Sequence, residues 1–137
     1  MAALWYLSLM SQTALWIDAS EARIFHVSAE GFDETAVHAT NRHLHRHPKD
    51  QTTRTANHPD DERRFFGEVV TALAGSNAIL VLGPGMTKLR FLRYVQKHDA
   101  TLESRIVGLE TAGHPTDRQI AAHVRSYFHA SPPRLGK

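Results

Sequence analysis

From His38 to Phe66 the chain reads HATNRHLHRHPKDQTTRTANHPDDERRFF and holds five of its ten histidines. His43, His45 and His47 alternate, so an extended backbone puts three imidazoles on one side, a spacing suited to zinc, copper or nickel. Arg42, Arg46 and Lys49 set fixed positive charge beside any such cation, and Asp50 is the one carboxylate near enough in sequence to orient the ligands. The same residues suit a polyanion such as RNA phosphate. A solvated polar loop with no chemistry is the third reading, and the residue types alone leave all three open.

The second chemical stretch is GPGMTKLRFLRYVQKH, Gly83 to His98. Glycines on both sides of Pro84 let the backbone turn sharply into a helix whose free N–H groups can hold an anion. At about 100° per residue, Lys88 projects toward Phe91, Leu92 and Val95. It sits in the first turn, where the helix dipole disfavours a cation. Either its stem covers apolar surface while the ammonium reaches water, or the cation stands beside the glycine turn for an anion. Arg90, Arg93 and Lys97 fall on the opposite side and read as a solvated face.

Two familiar chemistries lack their parts. A metal-dependent nuclease needs several converging carboxylates. Asp18, Glu62 and Glu68 are the candidates, but the strand ending VLGPG supplies no acid and Asp18 reads as a turn residue. GPGMTK has neither the spacing nor the Gly-Lys-Ser/Thr ending of a phosphate-binding P-loop.

The elements that must position these residues follow from periodicity. TALWIDAS and EARIFHVSA read as a hairpin of two strands joined by a polar turn from Asp18 to Glu21. A turn at Glu30 to Asp33 leads to a weaker strand, ETAVHAT, and then to about twenty residues without a period, a length that marks a functional or unstructured loop. Pro59 with Asp60, Asp61 and Glu62 opens a helix whose Phe65, Phe66, Val69, Val70 and Leu73 share a face, with Gly75 as its stop. NAILVLG is a buried parallel strand, a helix follows Gly85, and SRIVGLET is a fifth strand. Thr116 and Gln119 make a capping box for a last helix through about His129. The order β-β-β-α-β-α-β-α specifies an α/β, ribonuclease H-like mixed five-stranded sheet with helices packed on it.

Composition sets the frame. The 137 residues suit one domain: residues 14–130, with 1–13 as an N-terminal extension or start-site artefact and 131–137 as a tail. Hydrophobic residues make up 42% and charged residues 22%, and no apolar run approaches the roughly 20 residues of a membrane span. The first nine residues lack the basic start and cleavage site of a secretory signal. With no cysteine, disulfides and cysteine-based zinc sites are excluded, which fits a cytoplasmic protein. The formal charge is only +2, but 40–54 and 77–98 are both locally basic.

ALWIDASEARIFHVS, HLHRHPKD, HPDDERRFF, LVLGPGMTKLRFLRYVQKH and IVGLETAGHPTD together resemble bacterial translational machinery proteins, a group related to the middle domain of eukaryotic and archaeal class-one release factors and of Pelota. The resemblance runs from about Ala14 to Phe128 and is most specific at Gly83-Pro84-Gly85 with Lys88 and Phe91. It implies a translation-associated domain that contacts RNA or the ribosome, corresponding to a middle domain alone. It also puts the histidine-basic loop where release factors carry Gly-Gly-Gln. That tripeptide is absent here: Gln51 is the loop's one glutamine, followed by Thr52 and Thr53, so peptidyl-tRNA hydrolysis is not expected. The expected contacts are Arg42, His43, His45, Arg46, His47 and Lys49 on phosphate, with Gly83, Gly85 and Lys88 as a second anion site. No cofactor and no membrane partner is expected, and the sequence does not specify an oligomeric state. The alternatives are a release or rescue factor using Gln51 to position water, and a metal-binding protein using His43, His45 and His47.

Overall fold

The computed structural model describes residues 12–39 and 59–130. Among these, β1 (Gln12–Ile17), β2 (Glu21–Val27) and β3 (Phe32–His38) form an antiparallel meander. They are followed by α1 (Pro59–Ala72), β4 (Ala78–Gly83), α2 (Thr87–His98), the short α3 (Ala100–Glu103), β5 (Ile106–Thr111) and α4 (Asp117–Ala130). The strands make one mixed sheet in the order β3-β2-β1-β4-β5, the ribonuclease H-like arrangement expected from the sequence.

β1 is the central strand, antiparallel to β2 and parallel to β4. Its alternate residues feed two cores, as the twofold period of a strand requires. Leu15 and Ile17 pack with Phe65, Phe66 and Val69 of α1 and Phe91 and Val95 of α2. Ala14 and Trp16 pack with Ile120, Val124 and Phe128 of α4. β4 is buried along its whole length, so its uninterrupted apolar run AILVLG reflects helices on both faces of the sheet. β3 lies at an edge and exposes Asp33 and Glu34, charges that discourage another strand from pairing there.

The helix signals are realised at the expected places. Asp60, Asp61 and Glu62 occupy the first turn of α1. Thr116 N donates to Gln119 Oε1 at 2.8 Å while Gln119 N donates to Thr116 Oγ1 at 3.2 Å, a closed capping box at the head of α4.

Three boundaries differ from the sequence reading. The turn before β3 closes through Ser28 N to Gly31 O at 2.9 Å, two residues earlier than expected. Phe32 therefore joins the strand opposite Val27, with its ring 5.9 Å from that of Phe25. α1 ends at Ala72 rather than Gly75, and Gly75 follows at φ +88°. The one-turn helix α3 was not expected; Asp99 caps it by accepting from Leu102 N at 3.0 Å, and Leu102 is buried.

The capping box yields a direct test. Thr116 and Gln119 are exposed, so their substitution disturbs little beyond the cap. Thr116→Ala should lower stability by about 1 kcal/mol in urea unfolding, and Thr116→Ser should recover most of it.

Candidate nucleic-acid interface

The chain leaves β1 toward β2 and β3 on one side and returns through α1 to β4 on the other, so β1 and β4 flank the point where the winding direction reverses. Ligands of open α/β sheets sit outside the carboxyl ends of strands at such a point. At this end lie Asp18 after β1, the Gly83-Pro84-Gly85 turn after β4, and residues 112–116 after β5, where Ala112 N donates to Gly83 O at 3.1 Å.

Glycine is required at the turn for two reasons. A Cβ on Gly83, at φ +154°, would stand 2.1 Å from the carbonyl oxygen of Ile17, so β1 and β4 reach their observed spacing only because this side chain is missing. Gly85, at φ +62°, meets nothing within 4 Å; there the left-handed backbone alone favours glycine.

Lys88 points as its helical position predicts, toward the core, and is only 6% exposed. Its ammonium does not escape to water. Nζ turns back one helical turn and donates to Gly85 O at 2.7 Å. Thr87 is also buried, and its hydroxyl accepts from Arg90 Nη2 at 3.2 Å. No side chain caps the start of α2.

The face of α2 read as free and basic is divided. Arg90 Nε donates to Glu62 Oε2 on α1 at 3.0 Å, while Arg93 and Lys97 are exposed. The sequence missed this pairing because the two residues are 28 positions apart on separate helices.

Asp18 closes a tight turn. Its Oδ1 accepts from Ser20 N at 2.9 Å, Ser20 Oγ at 3.1 Å and Glu21 N at 2.9 Å, and Oδ2 lies 3.5 Å from His114 Nε2. Burial alone would raise the carboxyl pKa. The hydrogen bonds from Ser20 and Glu21, with that from His114, outweigh burial and hold it below the ordinary 3.8. Glu62 is committed to Arg90 and Glu68 is exposed on α1. Among the described residues no three histidines or acids gather as a metal site would require.

His114 stands over Trp16 with ring centroids 5.0 Å apart, and the Trp16 indole N–H donates to Gly113 O at 2.8 Å. The Arg23 guanidinium lies 4.7 Å from the Trp16 ring centroid. It donates to Asp117 Oδ1 at 2.5 Å and to Pro115 O at 3.3 Å. Sequence reasoning did not find this cluster. The available signal was a tryptophan inside a buried strand, whose N–H must find an acceptor.

Arg42, His43, His45, Arg46, His47, Lys49 and Gln51 lie outside the described residues. Both flanks of their segment are described and stand at this same end. Ala39 N donates to Ser20 O at 2.9 Å, and His38 Nδ1 is 3.8 Å from Glu21 Oε1. On the far side α1 begins at Pro59 and brings Glu62 to the first turns of α2.

No family model matches the sequence, and no curated protein matches it. Solved structures do match the fold. Pelota of Thermoplasma acidophilum has a TM-score of 0.56 at 23% identity, covering 90% of this chain and 33% of its own. Pelota of Archaeoglobus fulgidus gives 0.58 at 17% identity, with 94% of this chain and 38% of its own covered. An archaeal translation termination factor, aRF1, gives 0.55 at 12%, with 95% and 42% covered. What is shared is a mixed open five-stranded sheet with helices packed on it, consistent with the middle-domain-like fold of Pelota and aRF1. The chain spans about a third to two fifths of the length of these proteins. No helix among the described residues is long and apolar enough to cross a membrane.

Two measurements check the construction of this end. Gly83→Ala must separate β1 from β4 and should cost more than about 3 kcal/mol in urea unfolding, whereas Gly85→Ala should cost only about 1–2 kcal/mol for its left-handed backbone. A carboxyl whose pKa is lowered on folding stabilises the fold above its unfolded pKa, and that contribution is lost as the pH falls through the folded value. The melting temperature of wild type should therefore exceed that of Asp18→Asn at neutral pH, and the gap should close below about pH 4.

Proposed function

We propose that this chain is a translation-associated domain that binds RNA or the ribosome in the cytoplasm, without peptidyl-tRNA hydrolysis. The observation that carries this reading is that both flanks of the histidine-basic segment stand at the switch-point end of the sheet: Ala39 N donates to Ser20 O beside the Asp18 turn, and Glu62 in the first turn of α1 pairs with Arg90 in α2, the helix that follows the Gly83–Gly85 turn. Arg42, His43, His45, Arg46, His47 and Lys49 are the phosphate contacts. The first turn of α2, which no side chain caps, is with Gly83, Gly85 and Lys88 a second anion site, its free backbone N–H groups standing at the positive end of the helix dipole.

The likeness to Pelota and to a translation termination factor supports a role in translation. The missing Gly-Gly-Gln supports a role in contact rather than hydrolysis, because Gln51 stands with no glycine pair before it. Phosphate recognition by arginine and lysine is electrostatic and releases condensed counterions, which gives it a characteristic salt dependence.

Sedimentation of the protein with ribosomes across a salt series tests the reading. Binding should fall steeply with salt, and Arg42→Ala/Arg46→Ala/Lys49→Ala should flatten the dependence by about 0.7–0.9 log units per lost phosphate contact. No sedimentation at low salt, or an unchanged slope in the triple variant, overturns it.

A further inference from the structure

We propose that the outer face of α2 binds single-stranded RNA, with Arg93 and Lys97 on phosphates and His98 as a stacking platform for an unpaired base. This surface is separate from the histidine-basic segment and needs none of its residues.

The first support is charge. The twelve residues of α2, TKLRFLRYVQKH, contain no acid. Arg93 and Lys97 are one helical turn apart and share a stripe. Both are exposed, and neither forms an ion pair among the described residues. Two acids of α1 are already committed, Glu62 to Arg90 and Asp60 to Arg63, while Glu68 is exposed. The remaining positive charge on the stripe is left for a partner that brings its own negative charge at regular intervals.

The second support is aromatic and independent of charge. Tyr94 stands half-buried beside that stripe, its ring 5.7 Å from Phe66 in an edge contact. Its hydroxyl lies 3.4 Å from where a Cβ on Gly67 would be, so the ring rests across α1 at a position without a side chain. His98, one turn further on, packs against Tyr94 with centroids 4.4 Å apart and planes at 37°, and is exposed. An outer ring is thus backed by a ring that the core holds in place.

Cations that follow a backbone beside rings that take bases are what single-stranded nucleic-acid surfaces are made of. An acidic peptide would satisfy Arg93 and Lys97 but would leave the ring pair unused. A duplex would present phosphates but no free base face, because its bases are already stacked.

Fluorescence anisotropy with a labelled oligoadenylate, single-stranded and in duplex, decides the matter. Wild type should prefer the single strand. Arg93→Ala/Lys97→Ala should reduce the logarithmic salt slope by about 1.4, two contacts at about 0.7 each. His98→Ala should weaken binding roughly 5- to 150-fold with the slope unchanged, and His98→Phe should restore it. These side chains are exposed, so unchanged melting curves confirm folding. Equal affinity for duplex, or α2 variants indistinguishable from wild type, overturns the proposal. If Arg42→Ala/Arg46→Ala/Lys49→Ala flattens the slope in the same titration while the α2 variants do not, the histidine-basic segment keeps its role and α2 loses this one. If wild type binds no oligoadenylate, the α2 proposal falls, and ribosome sedimentation judges the segment separately.

Discussion

The parallel pairing of β1 with β4 is the constraint on which the rest of this structure depends. It joins the antiparallel meander to the crossover half, and among the described residues no other strand pair does so. The pairing closes at Ile17 and Gly83, where a single methyl group would stand 2.1 Å from a carbonyl oxygen. Residues 14–17 feed both cores, so a displaced β1 would disturb the packing of α1 and α2 on one face and of α4 on the other. Gly83 is also where the backbone leaves the sheet for α2. One missing side chain therefore sets both the spacing of the central strands and the origin of the helix that carries Lys88, Arg93 and His98.

Much of this is legible in the sequence because it follows from short-range rules. β1 and β4 announce themselves as dense apolar runs, α1 and α4 through their first-turn chemistry, and the Asp18 turn through a polar break between two strands. The direction of Lys88 follows from helical geometry. The errors share a cause. Phe32 reads as a turn residue because its cross-strand partners, Val27 and Phe25, cannot be inferred from its neighbours. α3 is too short to show a period. Arg90 reads as free until α1 brings Glu62 to it, and the Trp16–Arg23–Asp117 cluster is tied by hydrogen bonds between residues 97 and 94 positions apart, Trp16 to Gly113 and Arg23 to Asp117. Side chains whose partners are set by topology become legible only once the topology is known.

That cluster shows how the two faces of the sheet are finished differently at one end. Beside α2 the surface is closed by an ammonium on a carbonyl. Beside α4 it is closed by a stack, with His114 against Trp16 and Arg23 against the same ring, and with Arg23 further tied to Asp117 in the first turn of α4. A cation over an indole contributes about 0.5–2 kcal/mol according to its desolvation, and a carboxylate at a helix start also complements the dipole there. Residues 112–116 are held by these contacts and by the Trp16 N–H on Gly113. They form a fixed wall on one side of the switch point.

Lys88 presents two opposing effects whose magnitudes decide its role. A cation in the first turn of a helix opposes the dipole at a cost of about 0.3–1 kcal/mol. A hydrogen bond made by a charged group contributes about 1.5–3 kcal/mol, and Lys88 makes one to Gly85 O at 2.7 Å. The hydrogen bond outweighs the dipole and ties the buried ammonium to the glycine turn, against the cost of taking that charge out of water. It engages a carbonyl of that turn, and the start of α2 has no side-chain cap. An ammonium bound to the turn and helix-start amides that no side chain caps both add positive potential near the carboxyl ends of β1 and β4.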